Sequence, residues 1–489
     1  MIEFKNRIVQ FGFGAVGKSF FEKVKKEIKF NKDNYYVISR NKLEYTYFLE
    51  LGGIIGNFIV ADIKRNNYED IFSKYLEEGD FLIDFSDNVG TYDFMKWCAE
   101  NNVMYLNTGE TDWDDNWYCI FDENIKKNKL RNAIKKYNGK NKYPIVLQHG
   151  NNPGLVSHFV KASIEYIVKK QFKKDKELNR LLKEKKFNEL AKELDIKQIH
   201  VNDNDYQEIK DTFDKDTLYS TWSINSFFFE MLSEATANIG THEKIDYEKE
   251  CKKIDYNNGF LEFKDIALDK LGKTYYPKGN FDGYLVPHEE TITIAKSLEV
   301  KENDKVIYRP TVVFLYSPCN HSIEYFKNAK ANDYTNTNDL LQNINKNTEP
   351  IIRGYKYPKR SQIVYKENIN FGTEYVGVLL LGSRFNPTWV GNRIEKYFLY
   401  KSKKDSYWQT PTITPVSMSA LAACCWMIKH KEEGGIYFPD DIYDYKEIIK
   451  FVEKYISKTI FKTFKKEKLE KILDINLNYL QLKEIIKKH

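Results

Sequence analysis

The first residues that could do chemistry are Gly12-Phe13-Gly14-Ala15-Val16-Gly17, a GxGxxG run close to the start of the chain. Two glycines permit a tight turn and close approach of a pyrophosphate, while the third lets a helix pack on a sheet. The N-terminus of that helix then meets the phosphate charge. Gly12, Gly14, Ala15, Val16 and Gly17 are therefore candidate cofactor-binding residues, with an ordinary Gly-rich turn as the alternative. In such folds the second strand normally ends in an acid that holds the adenosine ribose. Here the corresponding stretch reads Ile38-Ser39-Arg40. Ser39 and Arg40 would suit a 2′-phosphate, so NADP stands beside NAD; a surface Arg beside a solvent-facing ribose fits equally well. Three polar loops follow apolar runs: Phe85-Ser86-Asp87-Asn88, the stretch Asn107–Trp113 with Thr108, Glu110 and Asp112, and His149–Gly154 with Asn152. Ligands bind at the C-terminal ends of strands in parallel sheets, so three such loops together favour a site. Each alone is ordinary turn chemistry, and Asp87 and Glu110 could simply cap helices.

The elements that must position these residues alternate. Arg7–Phe13, Tyr35–Ser39, Phe58–Ala61, Phe81–Phe85, Val103–Asn107 and Ile145–Gln148 read as strands, with helical patterns at Lys18–Ile28 and Tyr92–Glu100. Alternation of this kind predicts an α/β fold, a Rossmann-type doubly wound parallel sheet over residues 1–150. Residues 151–411 read as an inserted α+β substrate and dimerisation domain. It begins with a mostly charged helix over Ser163–Leu194 and contains strands at Ile199–Val201, Thr217–Ser223, Val306–Tyr316 and Tyr375–Leu381. Ala331–Thr348 is polar and Asn-rich, a surface excursion. Residues 412–489 read as a C-terminal helical segment packing back on the first domain.

Composition narrows the function classes. Across 489 residues, 76 Lys and Arg face 70 Asp and Glu, a net charge of only +6, with the signs interleaved as on solvated helix faces. The basic cluster near the end (Lys462, Lys465, Lys466, Lys468) lacks any aromatic-basic nucleic-acid motif, so nucleic acid is not an expected partner. Six cysteines without a CxxC pair imply no disulfide framework and no zinc site; no metal is expected. The charged N-terminus runs straight into a strand, and no apolar run reaches the roughly 18 residues of a membrane span. A soluble, cytoplasmic protein is the expectation.

Further motifs occur in order. His149-Gly150-Asn151-Asn152-Pro153-Gly154 continues as Leu155-Val156-Ser157, and Ile199–Gln207 is a strand ending in an acidic stretch with Asp203 and Asp205. Thr221-Trp222-Ser223 precedes Glu230 and then Gly240-Thr241-His242-Glu243. Gly283–Glu289 with His288, Tyr308-Arg309-Pro310-Thr311 and Trp389-Val390-Gly391 complete the series. Over about residues 8–430 this ordered set resembles the bacterial-type homospermidine synthases, dinucleotide-dependent enzymes related to saccharopine dehydrogenase.

The resemblance implies a site formed by Asn152, Asp203, Trp222, Glu230 and His288, with Asp87 and Glu110 from the first domain. It also implies a homodimer using NAD, with putrescine as substrate and spermidine or related amines as further candidates. The reaction implied is condensation of two putrescines to homospermidine. An amine is oxidised to an imine, the second diamine displaces ammonia, and the same hydride returns. The residue types suit that chemistry: a diamine carries two ammonium groups and needs carboxylates with an apolar surface between them. An iminium is stabilised by an aromatic face such as that of Trp222. Each residue also has a plainer reading, Trp222 as core and His288 as a satisfied structural histidine, whereas an unpaired Glu230 after Phe227-Phe228-Phe229 would be costly without a function. The chain departs from the family in having Asp203 where Glu is common, and in a Glu110-Thr111-Asp112-Trp113 loop that makes Asp112 a rival to Glu110. Two alternatives stand. A saccharopine-dehydrogenase-like NAD(P)-dependent reductase would need an Arg for a substrate carboxylate, with Arg309 and Arg384 as candidates. A dinucleotide-binding sensor or scaffold would need no chemistry at all.

Overall fold

The structure, a computed structural model, describes residues 1–86, 89–113, 134, 137–210, 214–331, 351–395 and 408–488. Asp87 and the Asn-rich stretch from residue 332 to Thr348 lie outside the described residues.

The fold is α/β. The first sheet is built from β1 (Ile8–Phe11), α1 (Ala15–Glu27), β2 (Tyr35–Ser39), α2 (Glu44–Glu50), β3 (Phe58–Val60), β4 (Phe81–Asp84), α3 (Thr91–Glu100), β5 (Met104–Asn107) and β6 (Ile145–Val146). Its strands run in the order β3-β2-β1-β4-β5-β6, every pair parallel. This is the doubly wound Rossmann order, whose switch point lies between β1 and β4, next to the glycine run. The strands are mostly apolar because both faces are covered: all residues of β1 and β4 are buried, the polar Gln10 and Asp84 among them.

The chain then enters a helix, α4 (Leu155–Gln171), and a second sheet of eleven strands. Thirteen of the seventeen residues of α4 are buried, so the expected charged helix over Ser163–Leu194 is in fact a core helix followed by two short amphipathic ones. The strand expected over Ile199–Val201 is ten residues long, β7 (Ile196–Asp205). The strand expected over Thr217–Ser223 stops early as β8 (Thr217–Ser220), and Ser223 caps α5 (Ile224–Leu232) by accepting from the Ser226 N–H. Trp222 therefore sits in a turn, and Glu230 on a helix. After α6 (Glu289–Ser297) come β9 (Thr311–Ser317), β10 (Thr373–Gly382) and β11 (Thr388–Glu395). In the sheet, β7 lies between β9, parallel to it, and β10, antiparallel.

The C-terminal part begins with α7 (Ile413–Lys429), which lies against α1, Ser417 Oγ 2.6 Å from Ser19 Oγ. Two apolar surfaces face it, which is why it is buried almost all round. The segment is not purely helical. β12 (Ile436–Tyr437) extends the first sheet beside β6, while β13 (Ile460–Thr463) joins the second beside β11. Edge strands this short carry too little pattern to be read from sequence. Among the described residues, no helix is long and apolar enough to cross a membrane.

Candidate active site

The glycine run is built as a phosphate-binding turn. Gly12 has φ +86°, and a Cβ there would lie 2.7 Å from the Phe85 carbonyl oxygen; at Gly17 it would lie 2.5 Å from the Gly12 oxygen. At Gly14, by contrast, a Cβ would meet no atom within 4 Å. That open space faces a cavity of about 660 Å³ at the N-terminus of α1, whose first turn carries no acid and no side-chain cap. The geometry fits a pyrophosphate, which would satisfy the free N–H groups of the helix.

Gly14, Ala15 and Val16 line this cavity on one side, together with Ser86 and Thr108 from the loops after β4 and β5. Glu110 lines it too, its carboxylate accepting from Gln148 Nε2 at 2.8 Å. Its rival Asp112 pairs with Arg65 at 3.5 Å and does not line the cavity. Ser39 and Arg40 do not line it either: the Ser39 hydroxyl donates to Glu44, and Arg40 is exposed.

The opposite wall comes from the second sheet. Side chains of a strand alternate between faces, so Asp203 and Asp205 on β7 share a face. Register places Glu374 of β10 opposite Asp205, and Tyr316 of β9 opposite Asp203. The alternate residues, such as Asn202, point into the core behind, where Asn202 Oδ1 accepts from Trp389 Nε1 at 3.0 Å. Asn152 reaches across from its loop and donates to Asp203 Oδ2 at 2.7 Å. Trp222 donates from Nε1 to the Tyr316 hydroxyl at 3.3 Å and meets Phe227 edge-on, its half-buried ring lining the cavity.

Glu230 and His288 complete the wall. His288 stacks on Phe314 with ring centroids 4.2 Å apart; its Nδ1 is bonded to Glu290, and its Nε2 lies 3.6 Å from Glu230 Oε1. Burial opposes a charged ring, but Glu290, Glu289 and Glu230 outweigh it and raise His288 to about 10. Burial pushes the Glu230 carboxyl up to about 8, which His288 opposes and Asp203 reinforces. Burial, with Asp205 close by, pushes Asp203 up to about 7, and burial holds Glu374 well above the usual range. Among the described residues, Glu230 Oε2 is buried without a hydrogen-bond partner, while the Asp203 and Glu374 carboxyls are bonded to each other. Carboxyls crowded together and raised by burial in a cleft are the kind of group that binding and catalytic sites use.

The structure thus brings Asn152, Asp203, Trp222, Glu230, His288 and Glu110 around one cavity. Sequence reasoning missed Glu374, Glu289 and Glu290. An acid beside the apolar run Tyr375–Leu381, and two more directly after His288, were signals, but only cross-strand register and the fold of α6 place them here.

Residues 8–144 match the family described as saccharopine dehydrogenase NADP binding domain. The homospermidine synthase of Mesorhizobium japonicum is 25% identical over 467 residues, 93% of this chain and 89% of its own. That of Blastochloris viridis is 24% identical over 470 residues, 93% and 90% of the two chains. This chain resembles the homospermidine synthases along nearly its whole length. The crystal structure of the Legionella pneumophila homospermidine synthase in complex with NAD has the same fold, with a TM-score of 0.81 at 24% identity, covering 100% of this chain and 99% of that one. Saccharopine dehydrogenase (L-Glu forming) from Saccharomyces cerevisiae shares the fold more distantly, with a TM-score of 0.53 at 11% identity over 94% of this chain and 100% of that one.

Proposed function

We propose that the protein is an NAD-dependent homospermidine synthase that condenses two putrescines with release of ammonia. The observation that carries this reading is the charge of the cavity: Glu110, Asp203, Glu230, Glu289 and Glu374 line it, and the one cationic side chain among the described lining residues, His288, is already bonded to Glu290. A dication is the ligand such a lining suits. A saccharopine-type substrate would need a cation for its carboxylate. Arg309 is instead buried against the Ile239 and Asn257 carbonyls and Glu299, and Arg384 pairs with Glu193.

Gly12, Gly14, Ala15 and Val16 of the glycine turn would hold NAD, which would supply the hydride acceptor for the amine-bearing carbon and the hydride donor for the imine formed with the second diamine. Asn152, Asp203 and Glu374 hold the distal ammonium, which would take the place of the proton that the Asp203 and Glu374 carboxyls share. Glu230, raised towards neutrality, exchanges a proton at the reacting nitrogen through Oε2, and His288 Nε2 supplies or withdraws charge beside it. The indole face of Trp222 stabilises the cationic iminium. Glu110 sits on the dinucleotide side, where an incoming amine can be held. Ser86 and Thr108 join Gly14, Ala15 and Val16 on that side, and Asp87 belongs to the proposed set by its loop.

In this reading residues 1–150 bind the dinucleotide, 151–411 the diamine, and 412–489 fasten the two. The protein works as a cytoplasmic homodimer, which light scattering of the purified protein tests. The activity test is incubation with putrescine and NAD: homospermidine and ammonia should form without net NADH. Stoichiometric NADH accumulation would show a simple dehydrogenase.

A further inference from the structure

The tip of β2 holds an arrangement that the diamine chemistry does not use. The adenosine ribose of a dinucleotide lies across the C-terminal end of this strand, and an acid at the tip normally reads its 2′-hydroxyl. The tip residue here is Ser39, which has no charge. Its side chain is nevertheless fully engaged: Oγ donates to Glu44 Oε2 at 2.7 Å and accepts the Asn41 N–H at 3.3 Å. The other oxygen of Glu44 meets Lys18 Nζ at 3.4 Å. Lys18 reaches out from α1, 7% exposed, with its ammonium 4.2 Å from the centre of the Trp408 ring and 5.0 Å from that of Tyr47. A hydroxyl and an ammonium, the usual receptors of a phosphate, thus converge on a carboxylate of the chain itself. Arg40, directly after Ser39, is exposed and forms no ion pair among the described residues.

We infer that Glu44 sets the choice of dinucleotide: its carboxylate occupies the place of a 2′-phosphate, so NAD is accepted and NADP is repelled. The matching domain family is described as NADP binding and the Legionella protein was crystallised with NAD, so the residue that selects NAD in this chain is not named by its relatives. A carboxylate has about four lone-pair positions, and Ser39 and Lys18 use two. The remaining ones can accept from ribose hydroxyls. A phosphate brought to the same point would meet a like charge fixed by two partners, a repulsive juxtaposition. Once the carboxylate is gone, Ser39, Lys18 and Arg40 form a ready site for the phosphate.

This inference rests only on the dinucleotide-binding part of the proposed function, and its test needs no diamine. Titration calorimetry of the purified protein with NAD and with NADP measures both dissociation constants. The wild type should prefer NAD, and Glu44→Gln should shift the NADP-to-NAD affinity ratio towards NADP by about ten-fold or more, as expected for loss of a charged interaction. Glu44→Asp, which keeps the charge but withdraws it from Ser39, should shift the ratio in the same direction by less. Adding Arg40→Ala to Glu44→Gln should take back part of the gained NADP affinity. If the wild type binds NADP as tightly as NAD, or if the ratio is unchanged in whichever of Glu44→Gln and Glu44→Asp folds, the inference is wrong. Homospermidine formation could fail with these ratios intact, and that would overturn the diamine assignment alone.

Discussion

Replacing Glu230 by Gln should make the protein more stable and much less active, and the gain in stability should depend on pH in a defined way. Glu230 is 3% exposed, one oxygen has no partner, and its carboxyl is raised from 4.5 to about 8. The sign follows from linkage. Below pH 4.5 the carboxyl is protonated in both folded and unfolded chains, and it contributes nothing to the pH dependence. Between 4.5 and 8 the unfolded chain releases its proton while the folded one retains it, so stability falls as pH rises. The fall levels off above 8. At about 1.4 kcal/mol per pH unit, the interval from 4.5 to 7 amounts to about 3 kcal/mol. Water entering the cavity lowers this, so about 1–3 kcal/mol is expected at pH 7. Gln has the shape of the protonated acid and no charge to release. Urea unfolding of wild type and Glu230→Gln across pH 4 to 9 checks this: the two should coincide near pH 4 and diverge up to pH 8. Turnover of putrescine by the variant should fall about 100-fold, the magnitude of a lost acid–base group. Putrescine should stabilise the wild type more than the variant, because a bound ammonium lets Glu230 ionise. A stability difference that does not change with pH would refute the argument, and so would a variant that turns over normally.

Trp222→Ala should lower kcat by about ten-fold or more while changing putrescine affinity less, since a cation–π contribution of up to about 2 kcal/mol grows as the iminium forms. Trp222→Phe should retain much of the activity. Steady-state kinetics on both variants checks this; a large loss of melting temperature with normal turnover per folded molecule would make Trp222 a packing residue. Gly14→Val should fold normally, because the added side chain enters empty space, yet bind NAD at least about 100-fold more weakly by calorimetry because that space belongs to the pyrophosphate. Unchanged affinity in the folded variant would mean that the ligand lies elsewhere.

The parallel sheet could be read from the chain because each of its strands is a short, mostly apolar run and its glycine turn is local; both patterns survive without tertiary context. The residues around the cavity were identified through ordered motifs, and Asn152, Asp203, Trp222, Glu230 and His288 do meet there. Their surroundings were not legible. Trp222 reads as part of a strand because β-formers surround it, yet the Ser223 cap starts a helix and turns the indole towards the cavity. Glu374 stands far from Asp205 and Asp203 in sequence; the antiparallel register of β10 on β7 sets it opposite Asp205 and so within hydrogen-bonding reach of Asp203 on the same face. Ser39 and Arg40 looked like a phosphate receptor, and the fold brings Glu44 and Lys18 to that point. The sequence by itself determined the residue types, the local turns and the order of elements, because these depend on neighbours along the chain. Tertiary structure alone decided which carboxylates crowd together, how far burial raises them and which oxygens stay free, because those follow from distance and desolvation in space.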